Sequence, residues 1–101
     1  MWIDDCRPAP EGYRWLKSVN QAKTYIQFVW FYEPRSSKTI ELISLDHDAG
    51  DFAHDGGDYI KLLDWLEETG RNYPVRIHSQ NVVGRENMLR IARKNNWTIL
   101  D

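Results

Sequence analysis

The sequence predicts an α/β domain built in three layers, with a mainly parallel five-stranded sheet and helices covering both faces. Short β-rich runs alternate with helical periodicities in the string β-β-α-β-α-β-α-β, and helices that fall between strands act as the crossovers that parallel pairing requires. The 101 residues carry 42% hydrophobic residues, 5 Trp, 5 Tyr and 3 Phe, which is the composition of a packed core and not of a disordered tail. A mass of 12.0 kDa leaves no room for a second core, so one domain over residues 1–101 is expected.

The elements follow in order. Trp2 to Asp4 reads as a very short opening strand, and the two prolines in the stretch from Arg7 to Gly12 make a loop. Tyr13 to Lys17 is a second strand. Ser18-Val19-Asn20-Gln21 has the form of a capping box, with Val19, Ala22, Tyr25, Ile26 and Val29 behind it at helical spacing, so a helix runs to about Tyr32. Pro34-Arg35-Ser36-Ser37 breaks it, and Thr39 to Leu45 reads as a buried central strand ending in Asp46-His47-Asp48. After a polar, flexible stretch from Ala49 to Gly57, Asp58 is placed to cap a helix with the stripe Tyr59, Leu62, Leu63 and Leu66, which Gly70 stops. Pro74 introduces a strand from Val75 to Ser79. The loop Gln80 to Gly84 then leads into a helix carrying Met88, Leu89, Ile91 and Ala92, which Asn95-Asn96 ends before a last strand from Trp97 to Leu100.

Charge and cysteine usage narrow the function classes. Lys+Arg 13 against Asp+Glu 15 gives a formal charge of -2, too little positive field to hold a long duplex by counterion release. A nucleic-acid partner is therefore expected to be an end or a nucleotide. The lone Cys6 has no internal disulfide partner, the opening residues are acidic where a signal peptide is basic, and no stretch is apolar enough to span a membrane. These features point to a cytoplasmic protein without a membrane partner.

Ligands of open parallel sheets bind beyond the carboxyl ends of the strands, so the residues at those ends carry the candidate chemistry. They are Asp4-Asp5, then Asp46-His47-Asp48, then His78-Ser79 with Asn81 and Gly84 close behind. Clustered carboxylates repel one another unless a cation, proton or basic group compensates, and oxygen ligands from two strand ends suit Mg²⁺. That makes Asp4, Asp5 and Asp46 the candidate metal ligands, the alternative being that Asp4 and Asp5 only cap the following loop. His47 and His78 have the side chain suited to acid–base work near neutrality, with Asp46 and Asp48 beside them, or are satisfied structural histidines. Ser79 as a nucleophile is awkward, because His78 points to the opposite face of a regular strand. A phosphate contact from Ser79 and Asn81 demands less. Arg7 offers a guanidinium fork to a phosphate or an ion pair to one of the aspartates. Arg85, Arg90, Arg93 and Lys94 make the last helix the most basic surface.

Asp4-Asp5, Asp46 and Ser79 at their strand ends resemble the acidic pair, phosphoacceptor and hydroxyl of the receiver (CheY-like, flavodoxin-like) fold, although the lysine that receivers carry after the last strand has no counterpart here. The chain resembles more fully the receiver-like family of cyclic-phosphate-processing domains. The likeness rests on Asp4-Asp5-Cys6-Arg7-Pro8-Ala9-Pro10-Glu11-Gly12, on Leu45-Asp46-His47-Asp48-Ala49-Gly50, on Gly57-Asp58, and on His78-Ser79-Gln80-Asn81 with Gly84, Asn87 and Met88. Ala49, where the family more often has leucine, is a small departure. The resemblance implies strand order 2-1-3-4-5 and action on cyclic phosphates at RNA ends or on nucleotide-derived cyclic phosphates. It implies Asp4, Asp5, Asp46 and Asp48 as the acidic cluster, His47 and His78 as acid and base, and Arg7, Ser79 and Asn81 as phosphate contacts. Two other expectations stand beside a phosphoesterase of RNA repair: a non-enzymatic receiver-like module binding a protein or nucleotide, and a residual receiver in which Asp46 accepts phosphate.

Overall fold

The computed structural model describes residues 1–32 and 40–100. In chain order the elements are β1 (Trp2–Ile3), β2 (Trp15–Leu16), α1 (Val19–Tyr32), β3 (Ile43–Leu45), a 3-10 helix (Gly50–His54), α2 (Ile60–Glu68), β4 (Val75–Ile77) and α3 (Val82–Lys94). The expected break at Pro34-Arg35-Ser36-Ser37 and the expected strand start at Thr39 lie outside the described residues.

The strands form one parallel sheet in the order β2-β1-β3-β4. The order agrees with the expectation, but among the described residues the sheet has four strands where five were expected. The segment after Trp97 meets β4 only at Val75, which bonds Thr98 O and Leu100 N at 2.9 and 2.8 Å around an isolated bridge to Ile99. A second rung would fall past Leu100, beyond the described residues, so no ladder is established.

Local chemistry accounts for most of the boundaries. Ser18 Oγ accepts from Gln21 N at 3.0 Å, and Gln21 Oε1 accepts from Lys17 N at 2.9 Å, so the box that opens α1 closes one residue earlier than the usual reciprocal pair. Gly70 follows the Thr69 cap of α2 with φ 67, and Arg71 N and Gly70 N bond Leu66 O and Glu67 O at 3.0 and 3.2 Å, the Schellman arrangement. Asp58 does not cap α2 with its side chain. Tyr59 takes the cap position, and Asp58 Oδ1 instead accepts from Ala49 N at 2.9 Å, tying the 46–49 turn to the helix entrance. The stretch read as a flexible loop holds the 3-10 helix. The loop read over Gln80 to Gly84 is also shorter than expected, because Asn81 Oδ1 accepts from Gly84 N at 2.9 Å and starts α3 at Val82. Removing that cap with Asn81→Ala is expected to lower stability by about 1 kcal/mol, measurable as a shifted urea midpoint at unchanged slope.

Helices on both faces were expected, and among the described residues they lie on one. The crossovers β2-α1-β3 and β3-α2-β4 advance in the same direction across the sheet, so right-handed connections put both helices on the same side, and α3 packs on α2 and β4. Register partners Ile3, Leu45 and Ile77, with Ile43 and Val75, face this side and form the core with Val19, Ala22, Ile26, Leu62, Leu63, Leu66, Met88, Leu89 and Ala92. The parallel step from β1 to β2 is made by residues 4–14, a loop with two prolines and no helix. That loop covers part of the other face: Tyr13 packs edge-on against Trp2, whose Nε1 donates to Arg7 O at 3.0 Å. The result is two layers plus a loop. The uncovered face therefore tolerates polar groups, and the site exploits this.

Candidate functional site

The ladder continues past the strands and brings the predicted strand-end residues together. Asp46 N donates to Ile3 O at 2.9 Å and His78 N to Leu45 O at 3.0 Å, so Asp4, Asp46 and His78 occupy the carboxyl ends of three adjacent strands. Asp4 is almost fully buried at 1% exposure. Its Oδ1 accepts from Cys6 N and Arg7 N at 2.9 and 3.0 Å, and its Oδ2 meets His78 Nε2 at 3.0 Å. Burial alone would raise the Asp4 pKa, but the two amides and His78 outweigh it and hold the carboxyl below its usual range.

His78 is held on both ring nitrogens. A carboxylate only accepts, so Nε2 carries the proton toward Asp4, and Nδ1 then accepts from the Ser44 hydroxyl at 2.9 Å. The ring also stacks on Trp2, with centroids 3.9 Å apart and planes 7° apart. Burial lowers the His78 pKa despite the neighbouring carboxylates, so the neutral ring is the folded form near neutrality.

Asp4, Asp5 and Asp46 each bring a carboxylate oxygen within 4.8 Å of the others. The Asp5 pKa is raised, first by burial and then by the charges of Asp4 and Asp46. Its carboxylate packs against Gly50, whose φ of 55 and lack of a Cβ leave the space it fills. Buried Tyr59, its hydroxyl on Lys17 O at 2.7 Å, is likewise pushed up by burial and by Asp5, Asp4, Asp46 and Asp58. This is an acidic pocket short of positive charge, and its hard oxygen donors fit a divalent cation such as Mg²⁺. Asp5 and Asp46 are the freer ligands, since both Asp4 oxygens already accept hydrogen bonds.

A second group sits beside it. His47 Nδ1 lies 2.8 Å from Asp48 Oδ1, and Asn81 Nδ2 reaches Asp48 Oδ2 at 3.3 Å. The bond from His47, with a smaller one from Asn81, lowers the pKa of the largely exposed Asp48. With Nδ1 donating to Asp48, His47 Nε2 presents a lone pair that no hydrogen bond occupies among the described residues. The ring rests on the first turn of α3, where a Cβ on Gly84 would come within 2.5 Å of it. Asp58 joins His47 and Asp48 in a set whose ligand atoms also lie within 4.8 Å of one another.

The remaining predicted residues line the rim. Ser79 Oγ accepts from Asn81 N at 3.0 Å and fixes the turn into α3. Exposed Arg7 donates to His78 O at 3.3 Å and makes no ion pair with the aspartates among the described residues. Sequence reasoning missed Ser44, Trp2, Tyr59 and Trp15, whose Nε1 donates to Asp4 O at 2.8 Å, as contributors to the site. A polar serine inside the apolar run from Ile43 to Leu45 was the one visible signal.

A parallel sheet ordered β2-β1-β3-β4 with an acidic cluster at its carboxyl edge defines a receiver-like α/β protein. The chain belongs to the family of cyclic-phosphate processing receiver domains, whose match covers residues 1–94. No curated protein and no solved structure matches it. Membership connects the chain with cyclic-phosphate processing. Among the described residues no helix is long and apolar enough to cross a membrane.

Proposed function

We propose that this protein is a phosphoesterase that opens a cyclic phosphate on a nucleotide or at an RNA terminus, with His47 as the general base. The observation that carries the reading is the His47–Asp48 pair at 2.8 Å, with Nε2 in no hydrogen bond among the described residues and the backbone N–H of His47 donating at 2.8 Å to Asp46 of the acidic cluster. Asp48 and Asn81 orient the ring, and His47 Nε2 takes the proton of a water that attacks phosphorus. One ester P–O bond of the ring breaks, and the ribose oxygen that leaves takes a proton from solvent at the open mouth. Arg7, Ser79 and Asn81 contact the non-bridging oxygens. Mg²⁺ held by Asp5 and Asp46, with Asp4 behind them, would neutralise charge on the phosphate. His78, with both nitrogens engaged, acts as a positioning residue for Asp4. One domain over residues 1–101 and a cytoplasmic setting complete the reading.

Incubating the protein with an oligonucleotide ending in a 2′,3′-cyclic phosphate, and with ADP-ribose 1″,2″-cyclic phosphate, tests this by mass spectrometry. Addition of one water to either substrate supports the esterase, and loss of turnover in EDTA assigns a metal. The engagement of His78 favours one other reading, a binding module for a protein or nucleotide partner, because it leaves a single free imidazole at the edge. Saturable ligand binding without any product would select that module.

The Asp5 carboxyl gives a separate expectation. Its folded pKa is raised, so the charged form costs stability above that pKa, and Asp5→Asn is expected to melt a few degrees above the parent without added metal. The same substitution should abolish the stabilisation that millimolar Mg²⁺ gives the parent. Thermal melts with and without Mg²⁺ check both signs.

A further inference from the structure

Trp30, Thr69, Gly70, Arg71, Asn72 and Tyr73 line a pocket of about 390 Å³ at the last turns of α1 and α2. These residues lie just before β4, at the amino edge of the sheet, so this pocket is at the end away from the carboxylates. The Schellman bonds after α2 fix Arg71 in position, and its guanidinium carbon lies 4.6 Å from the Trp65 ring centroid and 6.0 Å from that of Trp30. Among the described residues, Arg71 Nε is buried without a hydrogen-bond partner and the side chain makes no ion pair. A buried donor left unmade is costly, and the planar fork of arginine matches two oxygens of an oxyanion. Trp30 is 64% exposed and offers an indole face on the wall of the same pocket.

We propose that this pocket is a second ligand site, taking an oxyanion carried on a flat ring, the chemistry of a nucleoside monophosphate. Arg71 holds the phosphate and the Trp30 indole stacks the base. The inference does not depend on catalysis at the other edge. NMR titration of the full chain with AMP, adenosine and inorganic phosphate tests it, reading the Arg71 Nε–H and Trp30 indole N–H resonances. Saturable shifts of both signals by AMP, at least about tenfold tighter than by adenosine or phosphate alone, are expected. Arg71→Lys keeps the charge but loses the fork, and Trp30→Ala removes an exposed ring, so each should weaken AMP binding by about tenfold or more. Asp5→Asn should leave it unchanged. Absence of shifts at millimolar AMP in the unsubstituted protein overturns the proposal, as does equal binding of phosphate alone. Shifts confined to the carboxylate edge overturn it too.

Discussion

Replacing His47 with alanine is expected to reduce cyclic-phosphate opening by roughly 10²-fold or more, the range that a positioned general base contributes. The fold should survive, because the ring is packed on the surface of α3 at Gly84 and its Nδ1 bonds a largely exposed carboxylate. Asp48→Asn tests a narrower point. It keeps an acceptor for Nδ1–H but removes the charge, so it should retain activity at a level about tenfold below the parent. Gly84→Ala approaches the same group from the other side, since the added methyl would meet the ring atoms Cγ and Cδ2 within 2.5 Å and turn the imidazole away. Its cost should fall on turnover and on stability together, because the overlap forces a largely buried ring to move, and alanine's better helix propensity returns only about 1 kcal/mol. The three variants are compared by initial rates on the 2′,3′-cyclic oligonucleotide beside thermal melts. Full activity in a folded His47→Ala protein would remove the base from the mechanism and move the assignment to the binding module.

Local chemistry was readable in the sequence wherever one element decides it by itself. Ser18 with Gln21, the Leu62-Leu63-Leu66 stripe and Gly70 each specify a helix end or face through contacts three or four residues apart, and α1 and α2 appear where these signals lie. The acidic residues stood at strand ends, and a parallel sheet brings strand ends together, so the convergence of Asp4, Asp46 and His78 was also accessible. What could not be read depends on register across strands. Trp2 is opposite Ser44 and Ser44 opposite Arg76, which puts Trp2, Ser44 and His78 on one face and binds both nitrogens of a histidine that the sequence leaves open between an acid or base and a satisfied structural residue. The one-sided helix cover was implicit in the prolines between β1 and β2, because a loop there removes the only crossover that runs back across the sheet. Asn81 is a different case. Asparagine serves loops and helix caps alike, and only its bond to Gly84 N decides between them.

Loss of the buried Asp4 carboxylate is expected to cost as much as truncating a core side chain. Asp4→Ala leaves Cys6 N, Arg7 N and His78 Nε2 without their acceptor. The two loop amides can reach water, but the imidazole is enclosed, so the cost should come to about 3 kcal/mol. In a chain of this length that lowers the melting temperature by roughly 10–20 °C. Asp4→Asn should cost markedly less, because the imidazole has a second tautomer: the new amide donates to Nε2, and Nδ1–H donates to the Ser44 hydroxyl. The pH dependence follows from two shifts of the same sign. Asp4 has a folded pKa below its ordinary 3.8 and His78 one below its ordinary 6.5, so for each the unfolded chain binds protons first as pH falls. Stability should be greatest above about pH 6.5, decline as His78 protonates in the unfolded state, and fall again through the carboxylate range as the Asp4 contribution is lost. The Asn variant keeps the upper decline and loses the lower one. Urea titrations of parent, Asp4→Asn and Asp4→Ala at several pH values separate the two steps. An Ala variant as stable as the parent would mean that Asp4 is not the anchor on which the loop and His78 are hung.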